Sequence, residues 1–517
     1  MTTRRAFLAS SLTSATAAVL PWRSFARSSP TFSTDPFSLG VASGYPTADS
    51  VVLWTRLAPR PLDPDGGMPP SEISVRWEVA TDDKMRKVVR AGTQRATSEW
   101  AHSVHVEVEG LEPARDYWYR FTAGDVRSGI ARTRTVPAAG HELARLRVAV
   151  ASCQQYEQGY FSAYRHMLED ELDLIVHVGD YIYELTWGRN LVRSHGSPEA
   201  YSLADYRARY ALYKSDPDLA AAHAAYPWLV MWDDHEVEND YAGDVSEDNI
   251  DPKIFLARRA AAYRAYYEHM PLPRSALPHG PGMRLYDKRT FGDLASIYTL
   301  DQRQYRSREA CPRPGRAGSN RVSDCAELED RSRTMLGKEQ ESWLDRGFAD
   351  ARAQARWNLL AQGTVMAHLD EQPGPGRVYW TDAWNGYPAA RAKLMDDLSE
   401  RRVSNPVVLS GDIHAFLVSG LHRVAADLDS PLVGCELVAS SITSQAAGQK
   451  TFDVLRAENP NILVADSTHR GYLRLDLRHE RLAADLIAID TPTDPRSARH
   501  TLRSFVIEDG RPEPQPA

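Results

Sequence analysis

Leu174-Ile175-Val176-His177-Val178-Gly179-Asp180-Tyr181-Ile182-Tyr183-Glu184 is a short apolar run that stops at a glycine, a carboxylate and a phenol. Its length and β-branched content read as a buried strand. A strand that ends in Asp and Tyr delivers those side chains to the edge of a sheet. Four more runs behave alike. Leu146–Ala151 leads into Ser152-Cys153-Gln154, and residues 228–232 lead into Asp233-Asp234-His235-Glu236. Residues 297–300 lead into Asp301-Gln302-Arg303, and 407–409 into Ser410-Gly411-Asp412-Ile413-His414. Open α/β sheets bind ligands at the carboxyl ends of their strands. Five such ends converging on one edge predict a metal site rich in oxygen donors, and a hydrolase built around it.

Bulk properties agree. A chain of 517 residues is too long for one ordinary core and predicts two domains after processing. Its 61 Lys and Arg against 69 Asp and Glu give a formal charge of −8. No cationic excess exists to neutralise a nucleic-acid backbone, so no stable nucleic-acid complex is expected. A small phosphoester remains admissible, because a metal attracts it locally. The working expectation is a monomer acting on such a substrate.

The first residues read as a targeting segment. Thr3-Arg4-Arg5-Ala6-Phe7-Leu8 precedes a weakly apolar stretch over 9–20, and Ser24-Phe25-Ala26 offers small residues for cleavage after Ala26. Residues 1–26 therefore resemble a twin-arginine (Tat) signal peptide, with an ordinary Sec signal as the alternative. The apolar stretch is shorter than the roughly 20 residues of a membrane span, so no integral membrane anchor is expected. The Tat export machinery is then a partner, and the mature protein is periplasmic or secreted. Cys311 and Cys325 flank a Gly/Pro/Arg-rich loop, where a disulfide and a pair of free thiols are both open readings. Cys435 lies in the apolar stretch 432–438 and reads as core, whereas Cys153 stands just past a strand, among the other reactive residues.

Residues 35–138 have the periodicity of a β-domain. Runs at 50–57 and 73–79 are β-branched and aromatic, and 102–108 alternate strictly. Leu111-Glu112-Pro113 ahead of Tyr117-Trp118-Tyr119-Arg120-Phe121 resembles the tyrosine corner of immunoglobulin-like and fibronectin-type sandwiches. An accessory role is expected, with His102 and His105 structural or solvated. From Leu146 the pattern changes to strands alternating with helical spacing at 160–171, 254–270, 336–351 and 389–400, an α/β domain over 145–500.

The chemistry is read residue by residue. Asp180 can bridge two cations. Tyr183, taken alone, reads as a packing aromatic, since a phenol with a pKa of about 10 ionises only on a strong Lewis acid. Asp233-Asp234-His235-Glu236 is denser than a strand terminus requires. At least one of its carboxylates is expected on metal, with His235 ordering a phosphate oxygen or donating a proton. Asn239 and Asp240 add candidate ligands, and Asp412 suits a hard divalent cation. His414, two residues on, points the same way in an extended segment.

These motifs together resemble the PhoD-type alkaline phosphatase/phosphodiesterase family. The resemblance also takes in Leu300-Asp301-x-Arg303-Gln304-Tyr305-Arg306, Met335-Leu336-Gly337-x-x-Gln340-x-x-Trp343-Leu344 and Asp382-x-Trp384-x-Gly386-Tyr387. It implies a calcineurin-like metallophosphoesterase sandwich related to purple acid phosphatases, preceded by a small all-β domain. It further implies Fe3+ held by Cys153, Asp180 and Tyr183, with Asp180 bridging to Ca2+. Asp234, Asp412 and Asn239 become the calcium ligands, which reverses the isolated reading of Tyr183. The expected activity is metal-dependent hydrolysis of phosphate mono- and diesters at alkaline pH. His235 and His414 are the candidates for stabilising the transition state or protonating the leaving group. Arg303 and Arg470 are either phosphate contacts or structural ion pairs. The irregular stretch 311–333 is expected to overhang the site. Phospholipase D activity on the same fold, a non-catalytic metal-binding surface module and a ferric redox enzyme are the other readings.

Overall fold

The computed structural model describes residues 31–349, 351 and 355–517; the expected signal peptide, 1–26, lies outside the described residues. Two large sheets face one another. The ten-stranded sheet runs in the order Arg511–Pro516, Arg499–Glu508, Arg481–Ile489, Arg470–Leu477, Leu146–Ala151, Leu174–Val178, Pro227–Met231, Val41–Gly44, Val51–Arg56, Ser103–Val108. The seven-stranded sheet runs Asp287–Phe291, Ala295–Thr299, Trp357–Ala361, Pro406–Ser410, Leu432–Val438, Phe416–His422, Ile462–Asp466.

Each sheet has a parallel centre and antiparallel flanks. Leu146–Ala151, Leu174–Val178, Pro227–Met231 and Val41–Gly44 pair in parallel in the first. Ala295–Thr299, Trp357–Ala361, Pro406–Ser410 and Leu432–Val438 do so in the second. A parallel strand covered on both faces must be apolar throughout, which is why these segments read as unbroken runs. All five residues of Leu174–Val178 are buried. His177 in its middle is a neutral core histidine, its pKa pushed down to about 3 by burial.

Helices cover the sheets where helical spacing predicts them. Ser162–Met167, Pro252–His269, Gly337–Ala349 and Pro388–Glu400 correspond to the four expected segments. Local chemistry sets their starts. Asp251 caps Pro252–His269 by accepting from the Lys253 N–H, and a proline occupies the first turn. Leu203–Lys214 opens with a capping box between Ser202 and Asp205. Among the described residues no helix is long and apolar enough to cross a membrane.

The N-terminal β-region departs from a free-standing unit. Its strands Ile73–Ala80, Val88–Ala96, Asp116–Ala123, Val126–Arg127 and Ala131–Arg134 form a separate sheet. Val41–Gly44, Val51–Arg56 and Ser103–Val108 instead extend the large sheet beyond Pro227–Met231. The two sheets enclose their own core around Leu53, Val75, Tyr117 and Phe121. The tyrosine corner is present: the Tyr117 hydroxyl accepts the Glu112 N–H at 2.8 Å. His105 is structural, bonding the Tyr267 carbonyl at 2.9 Å and stacking on its ring. At the other end, the sheet continues past residue 500 through Arg511–Pro516.

Candidate metallophosphoesterase site

The five predicted strand ends lie on two sheets rather than along one edge. Leu146–Ala151, Leu174–Val178 and Pro227–Met231 belong to the ten-stranded sheet, and Ala295–Thr299 and Pro406–Ser410 to the seven-stranded one. Four of the ends supply side chains to one place. The fifth does not. Asp301 accepts the Trp232 indole N–H at 3.0 Å and the backbone N–H groups of Arg303 and Gln304, tying the sheets together.

The turns that carry the site are tight. Cys153, Asp180, Asp412 and His414 all adopt positive φ, at 56°, 57°, 67° and 56°. Such conformations cost of order 1–3 kcal/mol each and persist where surrounding structure enforces them. Glu236 is one enforcer: its carboxylate accepts the N–H groups of Asp180 at 3.1 Å, Tyr181 at 2.6 Å and Asp233 at 2.8 Å. Gly179, at φ 107°, permits the close approach of the two loops, since a Cβ there would lie 2.5 Å from Asp233 Cβ.

The Tyr183 hydroxyl is the hub of one cluster. It donates to Asp180 Oδ2 at 2.9 Å, lies 3.0 Å from His414 Nε2 and accepts from Ser444 Oγ at 2.8 Å. Cys153 is a free, buried thiol, and its Sγ shares a potential metal site with Asp180 and His414, all ligand atoms lying within 4.8 Å of one another. Asp180, Asp234 and His235 form a second such group with the same spread. Asp180 belongs to both, so this one carboxylate could serve either group.

The donors fit the two cations. Asp180 Oδ1 is buried and meets no hydrogen-bond donor. Burial, then the neighbouring Asp180 charge, pushes both the Cys153 thiol and the Tyr183 phenol well above their usual pKa values. Burial also raises Asp412, with Asp233 and Asp382 adding to the shift. Crowded anionic donors without compensating charge are what a bound cation relieves. Thiolate, phenolate and carboxylate suit Fe3+, while Asp234, Asn239 and Asp412 offer the oxygen donors that Ca2+ prefers.

The two histidines differ. His414 Nδ1 faces the Gln445 carbonyl at 2.7 Å, so that nitrogen carries the proton and Nε2 presents a lone pair. Burial drives its pKa down to about 3 and keeps it neutral. With Nε2 among the Cys153 and Asp180 donor atoms, His414 could also hold a metal. His235 is the reverse. Burial opposes its charge, but Glu184, 2.7 Å from Nδ1, and Asp234 hold its pKa well above normal. An imidazolium at this position has Nε2–H available to a phosphate oxygen.

Arg303 does not line the cavity and makes no direct phosphate contact there, contrary to one of its two expected roles. Its side chain is fully buried. Nε bonds Asp233, and the two terminal nitrogens grip Asp382 at 2.5 and 2.7 Å. It is the structural ion pair of the two readings. Arg470 does not line the cavity; its Nη1 faces the carbonyls of His414, Ser467 and His469.

The cavity above the clusters has a volume of about 580 Å³, with Asp180, Asp234, His235, Asn239, Asp412 and His414 on its walls. Arg313, Arg316 and Ser319 also line it, so the stretch after Cys311 does overhang the site. Cys311 and Cys325 are joined in a disulfide, which decides that open question. Cys435 is a buried core residue. Sequence reasoning missed the supporting roles of Glu184, Glu236 and Asp382. The first two close the strand-end motifs, so their position was visible; their hydrogen-bonding tasks were not.

Facing mixed sheets with clustered metal donors at their strand ends define a metallophosphoesterase. The comparisons make the assignment more particular. Residues 148–486 match the PhoD-like phosphatase family and residues 24–137 match its N-terminal domain. The chain belongs to the PhoD-like phosphatase family and is a phosphoric ester hydrolase. Alkaline phosphatase D of Bacillus subtilis (strain 168) is 46% identical over 489 residues, covering 93% of this chain and 82% of that protein. A solved structure of PhoD superposes with a TM-score of 0.90 at 44% identity, covering 94% of this chain and 93% of that one.

Proposed function

We propose that this phosphoric ester hydrolase is exported, by the Tat route, and cleaves phosphate mono- and diesters at alkaline pH using Fe3+ and Ca2+. Cys153, Asp180, Tyr183 and His414 would hold the iron. Asp180, Asp234, Asn239 and Asp412 would hold calcium. Bound there, the cations would neutralise charge on the phosphate and supply an activated oxygen nucleophile. The observation carrying this reading is the sharing of Asp180 between two donor clusters.

The protein's own groups do the rest. Glu184 orients His235 and keeps it charged, so that Nε2–H donates to a phosphate oxygen or to the departing alkoxide. Gln445 fixes the His414 tautomer. Arg303 holds Asp233 beside the Asp234 ligand. The substrate would be a small phosphoester entering the cavity from the Arg313 side.

Asp180→Asn tests the scheme. The expected result is loss of bound metal together with loss of phosphoester turnover. Retention of both in the purified variant would overturn it.

A further inference from the structure

Arg313 is the unspent cation of the cavity. Its Nε donates to Asn320 Oδ1 at 3.1 Å, the residue is exposed, and among the described residues it forms no ion pair with a carboxylate. Arg316, beside it on the wall, is by contrast paired with Glu247 and Asp248. The segment carrying Arg313 is braced. Asn320 Nδ2 donates to the Cys311 carbonyl at 3.1 Å, the Asn320 N–H donates to Thr381 Oγ1 at 2.9 Å, and the Cys311–Cys325 disulfide closes the loop. Trp187 and Trp380 supply flat apolar surface to the same cavity. Trp187 stacks on His414, which places that wall directly beside the donor clusters.

From this juxtaposition we infer a second anion subsite at Arg313. It selects phosphoesters whose leaving arm carries a further phosphate, with the intervening carbon skeleton passing along Trp187 and Trp380. A guanidinium takes a phosphate in a bidentate manner, and a braced loop backbone reduces the ordering cost of doing so. Arg313 is a specificity residue in this account; it touches neither the scissile phosphate nor the metal donors. The inference rests on the phosphoesterase reading for its meaning, but its binding test does not depend on turnover.

The test measures binding of alkylene bisphosphonates of increasing chain length, and of the corresponding monophosphonates, to the metal-loaded protein by calorimetry; their P–C bonds are not hydrolysed. The wild type is expected to bind at least one bisphosphonate more tightly than its monophosphonate. Arg313→Gln should remove about 10-fold of that preference while leaving monophosphonate affinity unchanged, the size of one charge-assisted contact at a partly open site. In parallel, turnover of bis(p-nitrophenyl) phosphate by Arg313→Gln should match the wild type. No preference in the wild type, or an equal preference in the variant, overturns the subsite. So does a variant that loses turnover of bis(p-nitrophenyl) phosphate. A preserved binding preference in a protein that cleaves no phosphoester would support the subsite and sink the hydrolase mechanism instead.

Discussion

Glu184 stands 2.7 Å from His235 Nδ1 with one carboxylate oxygen and accepts the Asn239 N–H at 2.8 Å with the other. One side chain thus sets the charge of the candidate acid and the position of a candidate calcium ligand. Glu184→Gln keeps the shape and removes the charge. His235 then gives up its proton at lower pH, so the alkaline limb of the pH–rate profile should move downward. A loss of about 10²-fold in kcat at alkaline pH is expected, the usual worth of a positioned acid. An unmoved alkaline limb with a large rate loss would assign Glu184 a purely structural role.

Arg303 sits between two buried carboxylates, Asp233 and Asp382. Removing it leaves Asp233 without its counter-charge and Asp382 with Arg306 alone. Arg303→Met should cost about 3–5 kcal/mol in urea unfolding, as for other broken buried pairs. A near-neutral variant would show that the carboxylates simply take up protons.

At Gly179 the backbone lies at φ 107°, and an added Cβ meets Asp233 Cβ at 2.5 Å and its N at 2.8 Å. Gly179→Ala should lower the Tm by several degrees and weaken metal retention together, because Asp180 rides on the same turn. A destabilised variant with full metal content would uncouple the turn from the site.

Lys214 is buried, its ammonium 4.3 Å from the Trp54 ring centroid, and Nζ has no hydrogen-bond acceptor. Burial pushes its pKa down to about 7. The unfolded chain, with a lysine pKa of about 10.4, then binds more protons than the folded one between roughly pH 7 and 10. Stability from this group therefore rises across that window and is absent below it, with an upper bound of roughly 5 kcal/mol. Lys214→Met should flatten the rise and be more stable than wild type at neutral pH. Denaturant midpoints measured from pH 6.5 to 10 check the sign; parallel curves would contradict it.

Much of this architecture was legible because buried parallel strands must be apolar on both faces. The runs at 146–151 and 174–178 coincide with observed strands; Cys153 and Asp234 each lie beside Asp180, and Asp412 lines the same cavity as Asp180 and Asp234. What a linear pattern could not carry is which sheet each strand joins. Asp301 follows an equally good run, yet its side chain is consumed by Trp232 and by neighbouring N–H groups. For Arg303 the sequence leaves a phosphate contact and a structural ion pair equally open, because arginine beside a strand end serves either purpose; only the position of Asp382, 79 residues away, decides it. The tautomer of His414 depends on Gln445, 31 residues downstream, and was equally out of reach. The continuation of the large sheet into Val51–Arg56 and Ser103–Val108 has no local signal, since edge pairing leaves no mark on the pattern of either partner.

On the proposed function, Cys153, Asp180, Tyr183 and their neighbours would bind iron and calcium to hydrolyse phosphoesters. The most direct measurement is metal analysis of the purified mature protein alongside turnover of p-nitrophenyl phosphate and bis(p-nitrophenyl) phosphate, with calcium added or chelated. Tightly retained iron with calcium-dependent release at alkaline pH is the predicted result. Full turnover in iron-free protein, or an iron- and calcium-loaded protein that cleaves neither ester, would contradict it.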